Sequence, residues 1–198
     1  EIVKRLNNLL DDGKYFAAEK AGMKLLEVHP KSALVLNVVG MSKMELNKDF
    51  DEAERHFKEA IDSRKEYVPP YVNLGNLYRL MGKIEESELV LRKIIDAGIN
   101  LPDAYNSLAA TLEFKRLSDE AEEFYKKALE VDPQHIDARN NLGAINFMKK
   151  DFANAWKMRE SRWDKPKYKM EMKRFKNPTW QMEKVDTLFV WAEQGVGD

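Results

Sequence analysis

The chain has 198 residues, 43% of them hydrophobic and 34% charged, and a formal net charge of -1. That is enough apolar material for a continuous core, and the near-neutral charge points away from nucleic acid and anionic membranes. With no cysteine, a disulfide framework, thiolate metal sites and a cysteine nucleophile are excluded.

No apolar run is long enough to span a bilayer, and the N-terminus lacks the basic-then-apolar pattern of a signal peptide, so no membrane partner and a cytoplasmic location are expected. Proline and glycine fall mostly where helices should end, which makes an all-α chain the natural expectation.

In chain order, residues 1–32 read as two helices joined at Asp11-Asp12-Gly13-Lys14, and the chain enters this unit already inside its first helix. Leu6, Leu9 and Leu10 stripe the first helix, while Ala17, Ala18, Ala21, Leu25 and Leu26 stripe the second. His29-Pro30 ends it, because proline cannot continue a helix and restricts the residue before it.

Residues 33–67 repeat the plan with Leu36-x-x-Val39-Gly40 and Ala53-x-x-x-Phe57-x-x-Ala60, around a turn one residue longer at Leu46–Asp49. Residues 68–101 give Tyr71-x-x-Leu74-Gly75-x-x-Tyr78, a turn at Met81-Gly82-Lys83, and Ser87-x-x-x-Leu91. Residues 102–135 give Tyr105-x-x-Leu108-Ala109 and Ala121-x-x-x-Tyr125-x-x-Ala128. Residues 136–163 give Arg139-x-x-Leu142-Gly143 and Asp151 to Ala155, after which Arg159 stands where an aromatic residue or leucine is expected.

Small residues at Gly40, Gly75, Ala109 and Gly143 let paired helices approach. Ala53, Ser87, Ala121 and Ala155 do the same from the second helix. Leu36, Tyr71, Tyr105, Phe57, Leu91 and Tyr125 are expected to fill the space between. One such pair cannot bury its apolar face alone, but a stack can.

Five matches in register, spaced by about 34 residues, identify the chain as a member of the tetratricopeptide-repeat family. The resemblance implies a right-handed superhelical solenoid of helix-turn-helix repeats over residues 1–163, whose first helices line a concave groove for a peptide or protein partner. Carried onto this sequence, the groove positions are Asn37 and Met41; Asn73 and Asn76; Asn106, Ser107 and Ala110; and Asn140 and Asn141, with Arg79 and Phe147 one turn further.

Asparagine is a mediocre helix former, so its recurrence there needs a reason. An amide donates and accepts at once, which suits a peptide backbone. Asn73, Ser107 and Asn141 resemble part of the asparagine ladder of O-GlcNAc transferase-type superhelices, broken at Ser107 and absent at Val38. Alternatively these amides are solvated or bond to neighbouring helices. A carboxylate clamp of the Hsp90-binding type is matched less well, because Val72 occupies the usual lysine place.

Residues 164–186 read as a basic connector, whose lysines either contact phosphates or are simply solvated. Residues 187–198 hold one short apolar strand, Leu188 to Ala192, leading into Gly195-Val196-Gly197-Asp198. Together with Trp156, Glu160, Arg162-Trp163 and Pro178-Thr179-Trp180, this end resembles bacterial tetratricopeptide proteins whose repeats precede a heptosyltransferase-type glycosyltransferase domain. That resemblance makes Gly195 and Gly197 the start of a phosphate loop. Read from the residues alone, the same stretch is an apolar tail, and its tryptophans make self-association a further expectation.

The functional expectation is an interaction scaffold, the recognition part of something longer. The alternative is the N-terminal part of a glycosyltransferase whose catalytic domain follows Asp198. No catalytic residue, cofactor or metal site is expected in this chain itself, since His29, His56 and His135 fall in different repeats. His29 and His135 are expected to cap helices and His56 to lie on the surface. Glu85-Glu86 and Glu122-Glu123 are read as exposed charges, and Met23, Met41, Met44, Met81, Met148 and Met158 as core filler.

Overall fold

The computed structural model of the chain describes residues 2–47 and 49–160. Within them the chain forms ten α-helices and no strand: α1 (Ile2–Asp11), α2 (Tyr15–Val28), α3 (Ala33–Glu45), α4 (Phe50–Ser63), α5 (Pro69–Leu80), α6 (Ile84–Asp96), α7 (Pro102–Phe114), α8 (Ser118–Val131), α9 (Ile136–Met148) and α10 (Phe152–Arg159). The all-helical expectation holds there. The basic connector, the Leu188–Ala192 strand, Gly195, Gly197 and the proposed self-association segment lie outside the described residues.

Local chemistry sets the helix ends. Asp49 accepts from the Glu52 N–H at 2.9 Å, and His135 Nδ1 accepts from the Ala138 N–H at 3.1 Å, each satisfying a donor with no partner inside its helix. Prolines open α5 and α7, where a missing N–H costs nothing. Within every hairpin one residue takes the left-handed conformation: Gly13, Asn47, Gly82, Arg116 and Lys150, with φ of 70°, 52°, 75°, 63° and 62°. Glycine and asparagine meet this requirement with least strain, whereas Arg116 and Lys150 bear it.

Odd-numbered and even-numbered helices play different parts. Each odd helix packs on the even helix that follows it and on the next odd helix, so that α1, α3, α5, α7 and α9 form a continuous row. Among the described residues the even helices do not contact one another. The two rows are therefore unequally spaced, and the stack closes toward the odd-helix side.

The contact within each pair sets a large side chain against a small residue. A methyl on Gly40 would lie 2.6 Å from the Phe57 ring, and one on Gly75 would lie 2.6 Å from Leu91 Cγ. Phe57, Leu91 and Tyr125 are all fully buried, the last in the pair that carries Ala109. In the fifth pair Arg159 stands in for the large apolar residue. Its Cγ lies where a Gly143 methyl would come within 2.8 Å, and its guanidinium sits 5.8 Å from the Phe147 ring centroid. The aliphatic stem does the packing while the charge rests on an aromatic face. The first pair departs from the arrangement: the equivalent places hold Leu6 and Gly22, and the close approach at Gly22 is to the next repeat, where a methyl would lie 2.5 Å from Val39 Cγ2.

A second regularity joins one repeat to the next. The glutamate directly after the small residue of each even helix, namely Glu19, Glu54, Glu88 and Glu122, receives a lysine from the following repeat. The lysines are Lys43 (3.2 Å), Lys83 (3.2 Å), Lys115 (2.7 Å) and Lys149. The four carboxylates are 15–17% exposed, so they share one environment. Lys115 first, with Arg92, holds Glu88 below the usual carboxylate range; Lys126 and Lys149 do the same for Glu122. The equivalent place in α10 holds Trp156, 57% exposed and edge-on to Phe147 at 5.0 Å.

Several sequence expectations are corrected here. His56 is buried, 2% exposed, with Nδ1 2.7 Å from the Glu52 carbonyl oxygen, because its α4 position turns toward the neighbouring helices. Glu122 is mostly covered and paired with Lys126 and Lys149. Met23 and Met148 are exposed, and Tyr105 is only half-buried.

Two outcomes follow. Gly75→Ala should destabilise the chain by about 1–2 kcal/mol in urea denaturation: overpacking against Leu91 costs about 1–3 kcal/mol and outweighs the gain in helix propensity of at most about 1 kcal/mol. Acid should also unfold the array early. The stability held by the lowered pKa of Glu88 and Glu122 is present above the unfolded value of about 4.3 and is lost as pH falls through the lower folded values. The melting temperature should therefore drop on acidification, and less steeply in Glu88→Gln plus Glu122→Gln. An equal slope in both proteins would refute the assignment.

Candidate functional site: the face of the odd helices

The predicted groove residues all lie on α3, α5, α7 and α9, the row whose members touch. They do not form one uniform ladder. Asn73 Nδ2 donates to Asn37 Oδ1 at 2.8 Å, and Asn141 Nδ2 donates to Asn106 Oδ1 at 3.1 Å. Each pair joins one odd helix to the next, across the second and third repeats and across the fourth and fifth. At the boundary of the third and fourth repeats the equivalent places hold Val72 and Ser107, both buried, which cannot form an amide pair. The stitch there moves inward: Ser87 Oγ and Thr111 Oγ1 are 2.9 Å apart, and Ser87 also donates to the Gly75 carbonyl at 2.8 Å.

Four of the asparagines are thus committed to holding the row together. Asn37 is 4% exposed and approaches Met41 Sδ as well. Asn140 is half-buried and has contacts of its own. Asn76 differs. It is half-buried on the same face, with no hydrogen-bond partner among the described residues. On neighbouring helices its place is taken by Met41, Ala110 and Ala144, and the two alanines present no side chain beyond Cβ.

Arg79 lies one turn beyond Asn76, on the same side of α5. Its guanidinium reaches across to the next repeat and sits 5.6 Å from the Phe114 ring centroid. Its Nε is buried without an acceptor, and it forms no ion pair among the described residues. Burial lowers its pKa, offset in part by Tyr125 and Glu113. The Glu113 carboxylate is itself engaged, accepting from the Tyr125 hydroxyl at 2.5 Å. Burial first, and Glu113 second, push that hydroxyl far up.

Sequence reasoning missed one element of this face. Leu80, Phe114 and Met148 occupy equivalent places at the last turn of α5, α7 and α9, and are 54%, 61% and 62% exposed. The signal was a bulky apolar residue two places before the left-handed turn residue in three successive repeats.

With this geometry in view, the chain can be set beside known proteins. The sequence profile of the tetratricopeptide repeat matches residues 68–97 and 102–135. Residues 68–97 and 102–135 are therefore tetratricopeptide repeats. Over 93 residues it is 29% identical to the type IV pilus assembly protein PilF of Pseudomonas aeruginosa, a match covering 47% of this chain. The chain spans 37% of the length of that curated relative. Its fold is similar to the crystal structure of TTC0263, a thermophilic tetratricopeptide protein of Thermus thermophilus, with a TM-score of 0.75 and 16% identity over 87% of this chain and 94% of that one. It is also similar to YrrB, described as a tetratricopeptide protein with an unusual peptide-binding site, with a TM-score of 0.53 and 20% identity over 88% and 91% of the two chains. The glycosyltransferase resemblance finds no support in these comparisons, and its Gly195 and Gly197 lie outside the described residues.

The amide pairs yield a test. Asn37→Ala and Asn73→Ala should each cost about 1 kcal/mol, since the first removes the partner of half-buried Asn73 and the second that of buried Asn37. Together they should cost less than the sum, with a coupling of about 0.5–1 kcal/mol in urea denaturation. Asn76→Ala should change stability by less than about 0.5 kcal/mol. Additive losses at Asn37 and Asn73 would show that the amides do not support each other.

Proposed function

We propose that the tetratricopeptide array is an interaction scaffold that takes an extended peptide segment of a protein partner along the row α3, α5, α7 and α9. One observation carries the reading. In a row otherwise stitched from repeat to repeat, Asn76 and Arg79 offer hydrogen-bonding groups that the array itself leaves unused. An unpartnered amide beside two alanine places suits a peptide backbone, which needs a donor, an acceptor and room. The exposed apolar residues at Leu80, Phe114 and Met148 supply the buried area that such a contact needs. YrrB, an array of similar fold, is described as having an unusual peptide-binding site, which supports a peptide as the kind of ligand.

The test is an immobilised array of individually synthesised random dodecapeptides, probed with labelled chain. A defined subset of peptides should capture the wild-type protein. Ala110→Trp and Ala144→Trp, which fill the row, should lose those spots, while Glu86→Trp on the exposed face of α6 should keep them. Thermal melts establish that each variant is folded. If all three variants capture the same peptides as wild type, the partner lies elsewhere.

A further inference from the structure

The unused cation on the odd-helix face carries a more specific statement, which rests on the groove reading above. We propose that the face reads an acidic peptide. The carboxylate of a partner aspartate or glutamate pairs with Arg79 at the boundary of the third and fourth repeats, Asn76 holds the adjoining peptide bond, and a bulky apolar neighbour of the acidic residue covers Leu80 and Phe114.

The array pairs its other boundary cations in a regular way. Lys43, Lys83, Lys115 and Lys149 each meet a carboxylate of the preceding repeat, and Arg92 meets two. Arg79 meets none among the described residues. It is half-buried, one of its nitrogens lacks an acceptor, and burial disfavours its charge. Such a group costs stability as it stands, and an incoming carboxylate at the terminal guanidinium nitrogens would offset part of that cost with a charge-assisted contact, although Nε itself is sealed from solvent.

The surroundings orient the guanidinium. Phe114 of the next repeat lies 5.6 Å from it, a cation–aromatic contact that restricts the guanidinium and leaves less freedom to lose on binding. Tyr125 and Glu113 offset the burial only in part, and the Glu113 carboxylate is tied to the Tyr125 hydroxyl and so is held back as an internal partner. The charge is thus partly, but not fully, compensated, and complementarity selects an acidic ligand over a basic one.

The chemistry beside Arg79 narrows the ligand further. Leu80 follows it directly, and both Leu80 and Phe114 are more than half exposed. A free phosphate or lone carboxylate would leave them bare. A peptide with an acidic residue beside a large apolar one would cover both, and Asn76, three residues before Arg79, is placed to take the backbone amide between them.

Two pools of fluorescein-labelled octapeptides test this by anisotropy at low salt. Both have a fixed central dipeptide, Glu-Phe in one and Gln-Phe in the other, with neutral residues elsewhere. Wild type should bind the Glu pool about tenfold or more tightly, the scale expected for a charged hydrogen bond. Arg79→Gln should erase that preference, so that the two pools bind the variant equally. Arg79→Lys should keep part of it, and Glu113→Gln should enlarge it by removing the competing carboxylate.

Equal affinity of wild type for the two pools overturns the proposal. So does a preference that survives Arg79→Gln, and so does failure of both pools to bind. The random-peptide array decides the groove reading separately. If peptides are captured there and lost on filling the row, yet show no dependence on Arg79, the groove stands and the acidic specificity falls.

Discussion

The structure depends on one steric relation, a small residue on one helix facing a large one on its partner. Gly40 with Phe57 and Gly75 with Leu91 show it most directly, because the glycine has no room for even one methyl. This closeness sets the spacing inside a pair, and the spacing in turn lets each odd helix reach the next odd helix. Without it the row α3, α5, α7 and α9 would not be continuous and no shared face would exist. The relation is indifferent to chemical class. A leucine, a phenylalanine, a tyrosine and the stem of Arg159 all serve as the large partner, and in the first repeat the close approach at Gly22 is instead to Val39 of the second.

Contacts between repeats follow a different logic. A solenoid has no long-range core, so each boundary must be held by local terms. Here an apolar cluster that runs from Tyr71 to Ile145 through three repeats is joined by polar, periodic contacts: a glutamate–lysine pair at each of four boundaries, an amide pair at two, and a buried hydroxyl pair where the amides are missing. An exposed ion pair contributes little singly, about 0–1 kcal/mol. Repetition in one partly covered environment gives the pairs weight, and each also dictates register, since only the next repeat presents its lysine at that place. The series ends at Trp156, which replaces the glutamate in α10 and presents an apolar surface.

Much of this was legible in the residues. The helical pairs, their turns and the small-to-large pattern follow from spacing alone, because the close approach leaves few alternatives at Gly40, Gly75 or Ala53. The placement of the groove asparagines on one row was legible too, although only through family resemblance. What they do was not. Asn37 and Asn73 are 36 positions apart, and their hydrogen bond exists only because two odd helices come side by side. The glutamate series was present as Glu19, Glu54, Glu88 and Glu122, yet it escaped notice because a charge on a helix is ordinarily solvated. His56 was misplaced for a related reason: whether a polar residue on an even helix faces water or a neighbour depends on the stacking angle, which local pattern does not encode.

A conflict of uses also decides where a partner can be read. The side chains that line the odd-helix row serve either to join repeats or to meet a ligand, and a hydrogen bond already committed to a neighbour is costly to redirect. Amide pairs occupy the row at its second and fourth boundaries. At the third, Val72 and Ser107 leave the row unstitched, and the load passes inward to Ser87 and Thr111. That same stretch of α5 carries Asn76 and Arg79, whose groups remain uncommitted, with Phe114 alongside. The interruption that makes the asparagine series look imperfect as a ladder therefore marks the place where, among the described residues, the row leaves polar groups uncommitted, because the structural work there has moved to the core.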